Sequence, residues 1–249
     1  MNAPRHAWLI GASSGIGLEV GRLLVADGWR VTLSARDTER LQDAAEEIAA
    51  RAEALDVTDA DSVFACATRV FADTPPCLVL INAGDYEPMP IEAFDVALFE
   101  RLNRVNYLGP VNVLAAVLPR MRGTGGQCLI TASASGYVGL PRAAPYSAPK
   151  AAAIHLAQAL APEAARWGVR LRVINPGFVR SRLTAKNRFR MPGLMEPIDA
   201  ARRIVARIDD RGFDISFPRR LVWPLKLLRC LPQALHLWLM QRYVLGSGR

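Results

Sequence analysis

A doubly wound α/β fold is what this sequence predicts, on three observations. Short apolar runs alternate with longer segments of helical period along most of the 249 residues. The runs are continuously apolar, as in strands buried on both faces of a parallel sheet. Turn and cap residues stand where the helices should begin and end. Together these predict a seven-stranded parallel sheet with helices on both faces, joined by right-handed crossovers, and followed by a C-terminal helical extension.

The elements follow in order along the chain. The run HAWLIG gives a strand over 6–11, and a helix over 15–27 ends where Gly28 offers the left-handed residue that helix ends favour. RVTLSA gives the second strand, 30–35, and Asp37 supplies an N-cap for a helix over 38–50. A third strand is expected over 51–55 and a helix over 60–72. CLVLIN, 77–82, and QCLITA, 127–132, are strands flanking a helix over 95–120. The next helix, 146–166, closes at Gly168; then come a strand over 170–175, a helix over 198–210 and the strand FDISF over 213–217.

Composition narrows the functions. Half of the chain (51%) is hydrophobic, enough for one large core over residues 1–217, with 218–249 as an appendage. Cys66, Cys77, Cys128 and Cys230 form no C-x-x-C pair and, with no signal-like N-terminus, are expected to be reduced thiols in a cytoplasmic protein. His6, His155 and His236 make no ligand spacing, so no metal is expected. The net charge of +8 is uneven: residues 1–169 hold 14 Lys/Arg against 18 Asp/Glu, residues 170–249 hold 17 against 5. No nucleic-acid-reading motif accompanies the basic part, so nucleic acid is not an expected partner.

The first strand–helix turn reads GASSGIG, with Gly11, Gly15 and Gly17. Glycines there let backbone N–H groups approach a phosphate, and the helix N-terminus favours its charge. This fits residues 1–217 as a Rossmann-like dinucleotide-binding unit, with a tight strand–helix turn that holds no ligand as the alternative. At the end of the second strand stand Ala35, Arg36 and Asp37, where such sites place a selector. A guanidinium pairs with a 2′-phosphate, so Arg36 favours NADP(H); NAD(H), held through Asp37, is the alternative.

Tyr146 and Lys150, in YSAPK, share a helix face at i and i+4. The preceding strand runs into LITASASGY, which puts Ser133 and Ser135 at its C-terminal edge, where open parallel sheets bind ligands. A serine hydroxyl, a phenol and an ammonium can therefore converge beside the cofactor.

These motifs resemble those of the short-chain dehydrogenase/reductase family, from about residue 6 to about 217. GASSGIG (Gly11, Ser13, Ser14, Gly15, Ile16, Gly17) resembles its cofactor turn, LDV its adenine-side motif with Asp56 and Val57, and NAG its fourth-strand motif with Asn82, Ala83 and Gly84. VNYLG carries Asn106 at the family's helix asparagine. Ser133 stands thirteen residues before Tyr146, the family spacing, and Tyr146 and Lys150 match Tyr-x-x-x-Lys. NPGFVRS resembles the loop bordering the nicotinamide, with Pro176, Gly177 and Val179. Ile10 and Ile81 depart from the usual threonine and asparagine, and Pro149 from the usual small residue, which suggests a helix starting close to Tyr146 or irregular there.

The resemblance implies a ketone–alcohol oxidoreductase. Tyr146 is the proton donor, its pKa lowered by Lys150; Ser133 holds the carbonyl oxygen; Asn106 holds a water for proton resupply. The alternative is an NADP(H)-binding sensor, or a membrane-recruited interaction protein, without turnover. A homodimer or homotetramer is expected.

The extension is rich in Leu and Trp and dotted with Arg219, Arg220, Lys226, Arg229 and Arg242, with Pro224 and Pro232 expected to break it into short helices. It is too interrupted to span a bilayer. Three readings stay open: helices packed on the core or at a dimer contact, a membrane-interface segment on the inner face, or a substrate lid. FRMPGLMEP, 189–197, suggests an apolar pocket wall. The expected substrate is a hydrophobic or lipid-like small molecule.

Overall fold

The computed structural model describes residues 5–245, apart from 73, 188 and the Leu245 side chain. Residues 1–4 and 246–249, the outer ends of the two predicted units, lie outside the described residues. Strands β1 (His6–Ile10), β2 (Arg30–Ser34), β3 (Arg51–Ala52), β4 (Leu78–Ile81), β5 (Gly126–Thr131), β6 (Val169–Pro176) and β7 (Asp214–Phe217) pair in the order β3-β2-β1-β4-β5-β6-β7. Every pairing is parallel. The chain leaves β1 for β2 on one side and returns to place β4 on the other, so the order reverses beside β1 and opens a crevice at its C-terminal end.

The helices are α1 (Gly15–Ala26), α2 (Thr38–Glu47), α3 (Ala60–Ala72), α4 (Val96–Asn103), α5 (Gly109–Met121), α6 (Ala144–Arg166), α7 (Pro197–Val205), α8 (Arg219–Leu228) and α9 (Gln233–Leu239). Strand periodicity divides the core between two faces. Ala7 and Leu9 pack with Leu24 of α1, Leu41 of α2 and Ile204 of α7. Trp8 and Ile10 point the other way, among Val63 of α3, Val117 of α5 and Ala157 of α6. Leu9, Leu33 and Leu80, neighbours across three strands, are fully buried; each such side chain contributes roughly 1.5–3 kcal/mol. Both faces are covered, which is why the strands read as unbroken apolar runs.

The predicted caps hold. Asp37 accepts a hydrogen bond from the Arg40 amide at 3.2 Å. Gly28 closes α1 with φ +78°, its amide bonding Val25 O while the Trp29 amide bonds Leu24 O. Gly168 closes α6 at φ +79°.

Several elements differ from expectation, among them the helix predicted over 198–210, which ends as α7 at Val205. The helix predicted over 95–120 is two, α4 and α5, joined by a π-helical turn at Arg104–Leu108. The Asn106 side chain donates to the Leu102 carbonyl at 2.9 Å, an acceptor that a regular helix gives to its own ladder. β3 is only two residues, although the Glu53 and Leu55 amides continue bonding to Leu33 O and Ala35 O. It is an edge strand with one neighbour. Finally, α6 starts at Ala144, close to Tyr146 as Pro149 suggests, but Pro149 lies beyond its first turn and the helix continues through it. Proline there removes one N–H from the ladder, opposite the carbonyl of Pro145, without ending the helix.

The extension splits as its prolines suggest only at Pro232, which precedes α9; Pro224 lies inside α8. Val222 of α8 is buried against Ala132, Ala134, Tyr137 and Ile154, so α8 packs on the loop after β5 and on α6.

Candidate active site

The glycine turn lies at the C-terminal end of β1, in the crevice. Gly11 has φ +79°, and a Cβ there would stand 2.4 Å from the Ala83 amide nitrogen. The turn and the Asn82–Ala83–Gly84 segment thus approach backbone to backbone, locked by the Asn82 side chain donating to Gly11 O at 2.9 Å. Gly15, at φ +60°, has open space where its Cβ would be. Ser14, at the N-cap of α1, makes no side-chain capping bond, and the first turn holds no acid. The leading amides of a twelve-residue helix are therefore left for an incoming anion. A pyrophosphate fits this cradle.

The selector region is equally direct. Arg36 is exposed and lines a groove of about 280 Å³ with Thr58, Arg101 and Arg104. Asp37 is engaged: one oxygen caps α2, the other pairs with Arg40 at 3.6 Å. Asp56 accepts from the Thr58 amide and hydroxyl at 2.9 and 2.8 Å, which holds the turn that presents Val57.

Ser133, Tyr146, Lys150 and Asn106 come together at the ends of β4 and β5. Ser133 caps a 3₁₀ turn, Ala134–Gly136; its oxygen accepts from the Ser135 amide at 3.2 Å and hydroxyl at 3.0 Å. Ser135 therefore supports Ser133. Lys150 is buried, and its ammonium donates to Thr131 O at 2.8 Å, 5.7 Å from the Tyr146 ring centre. Gly84 lies beside both Asn106 and Lys150: a Cβ there would lie 3.1 Å from Asn106 Oδ1 and 3.6 Å from Lys150 Nζ. Both groups thus border the Gly84 backbone, which has no side chain to come between them. Asn106 is fully buried and donates to Asp85 O and Leu102 O, both at 2.9 Å.

Electrostatics correct one expectation. Burial, not the neighbouring ammonium, dominates the phenol: the Tyr146 pKa is pushed up to about 12, with the Ser133 hydroxyl pulling the other way. Burial brings Lys150 down to about 8. The protein alone thus keeps Tyr146 as a neutral phenol, a group that can give a proton, and leaves Lys150 mostly an ammonium at neutral pH.

Pro176 ends β6, and the Gly177 amide bonds Phe217 O at 2.7 Å. Val179 bridges to Met195, and these hold the loop beside the site. In that loop Phe189 is exposed and packs edge-on to Phe178, while Met195 joins the core; the expected apolar wall is only partly free to be one.

Two groups escaped the sequence reading. Tyr86 packs against Tyr146 and donates to Asn187 Oδ1 at 2.7 Å, and Lys186 bonds Tyr86 O and Glu87, both at 2.8 Å. Arg40, Arg180 and Arg182 line a groove of about 360 Å³ with Ser14 and Gly15. The adjacency of Tyr86 to NAG was the one available signal for the first. The second joins positions about 140 residues apart in the chain and had none.

Fold and site define a class: oxidoreductases that seat a dinucleotide at the switch point of a doubly wound sheet. Residues 5–191 match the family model for the short chain dehydrogenases, and the chain belongs to that family. An uncharacterized oxidoreductase of Myxococcus xanthus is 33% identical over 238 residues, covering 93% of this chain and 94% of that protein. A short chain dehydrogenase from Burkholderia cenocepacia, solved with NADP, superposes with a TM-score of 0.84 at 26% identity, over 95% and 98% of the two chains. An alcohol dehydrogenase from the archaeon Thermococcus sibiricus, complexed with 5-hydroxy-NADP, gives 0.79 at 27% identity, over 86% and 96%.

Proposed function

We propose that this chain is an NADP(H)-dependent oxidoreductase that interconverts a ketone and a secondary alcohol, on a hydrophobic or lipid-like substrate. The observation that carries this is the meeting of Ser133, Tyr146 and Lys150 beside the glycine turn. Arg36 supports NADP(H), because it is exposed at the end of β2 while Asp37 caps a helix. The NADP ligands of the Burkholderia and Thermococcus enzymes support the same reading.

The residues that would hold the cofactor are Gly11 to Gly17 for the pyrophosphate and Arg36 for the 2′-phosphate. Asp56 and Val57 would hold the adenine end, Asn82, Ala83 and Gly84 would floor the crevice, and Pro176, Gly177 and Val179 would hold the nicotinamide end. When bound, NADP(H) supplies or takes up the hydride. The chain handles the proton. In reduction Tyr146 gives its phenolic proton to the carbonyl oxygen, and in oxidation it takes the proton back. Ser133 donates a hydrogen bond to the same oxygen and fixes its position. The Lys150 ammonium stabilises the phenolate left behind. Asn106, which like Lys150 borders Gly84, seats the water through which the proton is replaced.

The exposed Phe189 in the loop beside the site supports the substrate class. Ile91, Phe94 and Val96 leave a separate apolar patch exposed, which supports assembly into a homodimer or homotetramer. The test is NADPH oxidation across ketones of graded chain length. Efficiency rising with apolar chain length supports the reading; an optimum at short polar carbonyls removes the lipid-like substrate, and no oxidation with any ketone removes the reaction.

A further inference from the structure

Helix α8 has two unlike sides. Inward, Val222 is buried and Lys226 reaches Asp214 at 2.7 Å, the carboxylate that also accepts from Tyr137 at 2.6 Å. Leu221 packs against Gly177, where an added Cβ would lie 2.6 Å from it. Outward, Arg220, Trp223 and Leu227, three and four residues apart, share one face. Trp223 and Leu227 are 60% and 63% exposed. α9 follows with Leu235, Leu237 and Trp238, also exposed. Large apolar side chains gathered in one such segment mark an interaction surface.

Charge says what covers it. Residues 218–249 contain six Lys/Arg and no Asp or Glu. Arg219, Arg220 and Arg229 are exposed and make no ion pair among the described residues. A second copy meeting this face about a twofold axis would set like charges opposite one another. Anionic headgroups neutralise those charges, while the boundary beneath them accepts Trp and Leu. Among the described residues no helix is long and apolar enough to cross a membrane, so the contact lies in the interface.

We infer that the outward face of α8 and α9 docks on an anionic lipid surface. Because the inward face of α8 holds Gly177 and the loop after Ser133, docking sets the site's own framework against that surface. This inference is independent of the proposed reaction, since its readout is partition, not turnover.

The test is sedimentation of the full chain with vesicles of phosphatidylcholine alone and of phosphatidylcholine containing one third phosphatidylglycerol. Expected is binding to the anionic vesicles that weakens with salt, and little to the neutral ones. A Trp223→Glu/Leu227→Glu variant should bind about tenfold less, and Arg220→Gln severalfold less. Circular dichroism and native mass verify that both variants fold. Equal partition to both kinds of vesicle, or a full chain that stays in the supernatant, overturns the inference. So does a Glu variant that binds lipid normally while its native mass falls from dimer to monomer, because the face is then a contact between copies.

Discussion

Tyr86 meets Tyr146 edge-on, the ring centres 5.0 Å apart and the planes at 85°. Its hydroxyl reaches past that ring to Asn187 at 2.7 Å, and burial raises its pKa, so it stays a donor at neutral pH. One side chain thus steadies the proposed proton donor and ties down the loop over it. Tyr86→Phe keeps the ring contact and loses one hydrogen bond, net about 1 kcal/mol. The expected result is a KM raised about fivefold with kcat nearly unchanged. Tyr86→Ala loses both and should lower kcat as well. Steady-state kinetics of the two variants separates the roles.

Lys150 sets the pH dependence. Burial lowers its pKa to about 8, so the ammonium is present below that pH and lost above it. Tyr146, pushed up to about 12, contributes no ionisation in the same window. The kcat for ketone reduction should therefore fall as pH rises through about 8, following one ionisation. Lys150→Arg, whose guanidinium stays charged, should lower the plateau and move that limb to much higher pH. A profile of the Arg variant with the limb still in place would assign it to another group.

Arg36 selects the cofactor if its guanidinium binds a 2′-phosphate. A charge-assisted hydrogen bond contributes about 1.5–3 kcal/mol, so Arg36→Ala should cut the NADPH-to-NADH efficiency ratio by about 10- to 100-fold. The ratio of kcat/KM values measures it, and no change would remove Arg36 as the selector.

The parts of this molecule readable from its sequence are those governed by local chemistry. Asp37 and Gly28 act within one helical turn, and Gly11 to Gly17 form a continuous motif, so each was legible by residue type. The π turn at Asn106 was not, because it depends on a side chain bonding Leu102 O within an otherwise periodic run. The balance at Tyr146 was not either. Charge proximity can be read from i,i+4 spacing, but burial depends on what Tyr86, Phe99 and Leu102 bring from elsewhere. The two faces of α8 needed its packing on Tyr137 and Ile154 to tell inward from outward.

Turnover of Tyr146→Phe, measured beside NADPH affinity, bears most directly on the site. The substitution keeps the ring, its packing on Tyr86 and the cofactor cradle, and removes only the phenolic hydroxyl with its proton. Expected is a kcat lower by about a thousandfold, with an NADPH dissociation constant within about twofold of the native value, by fluorescence titration. Near-native turnover at unchanged affinity would contradict the assignment of Tyr146 as the proton donor.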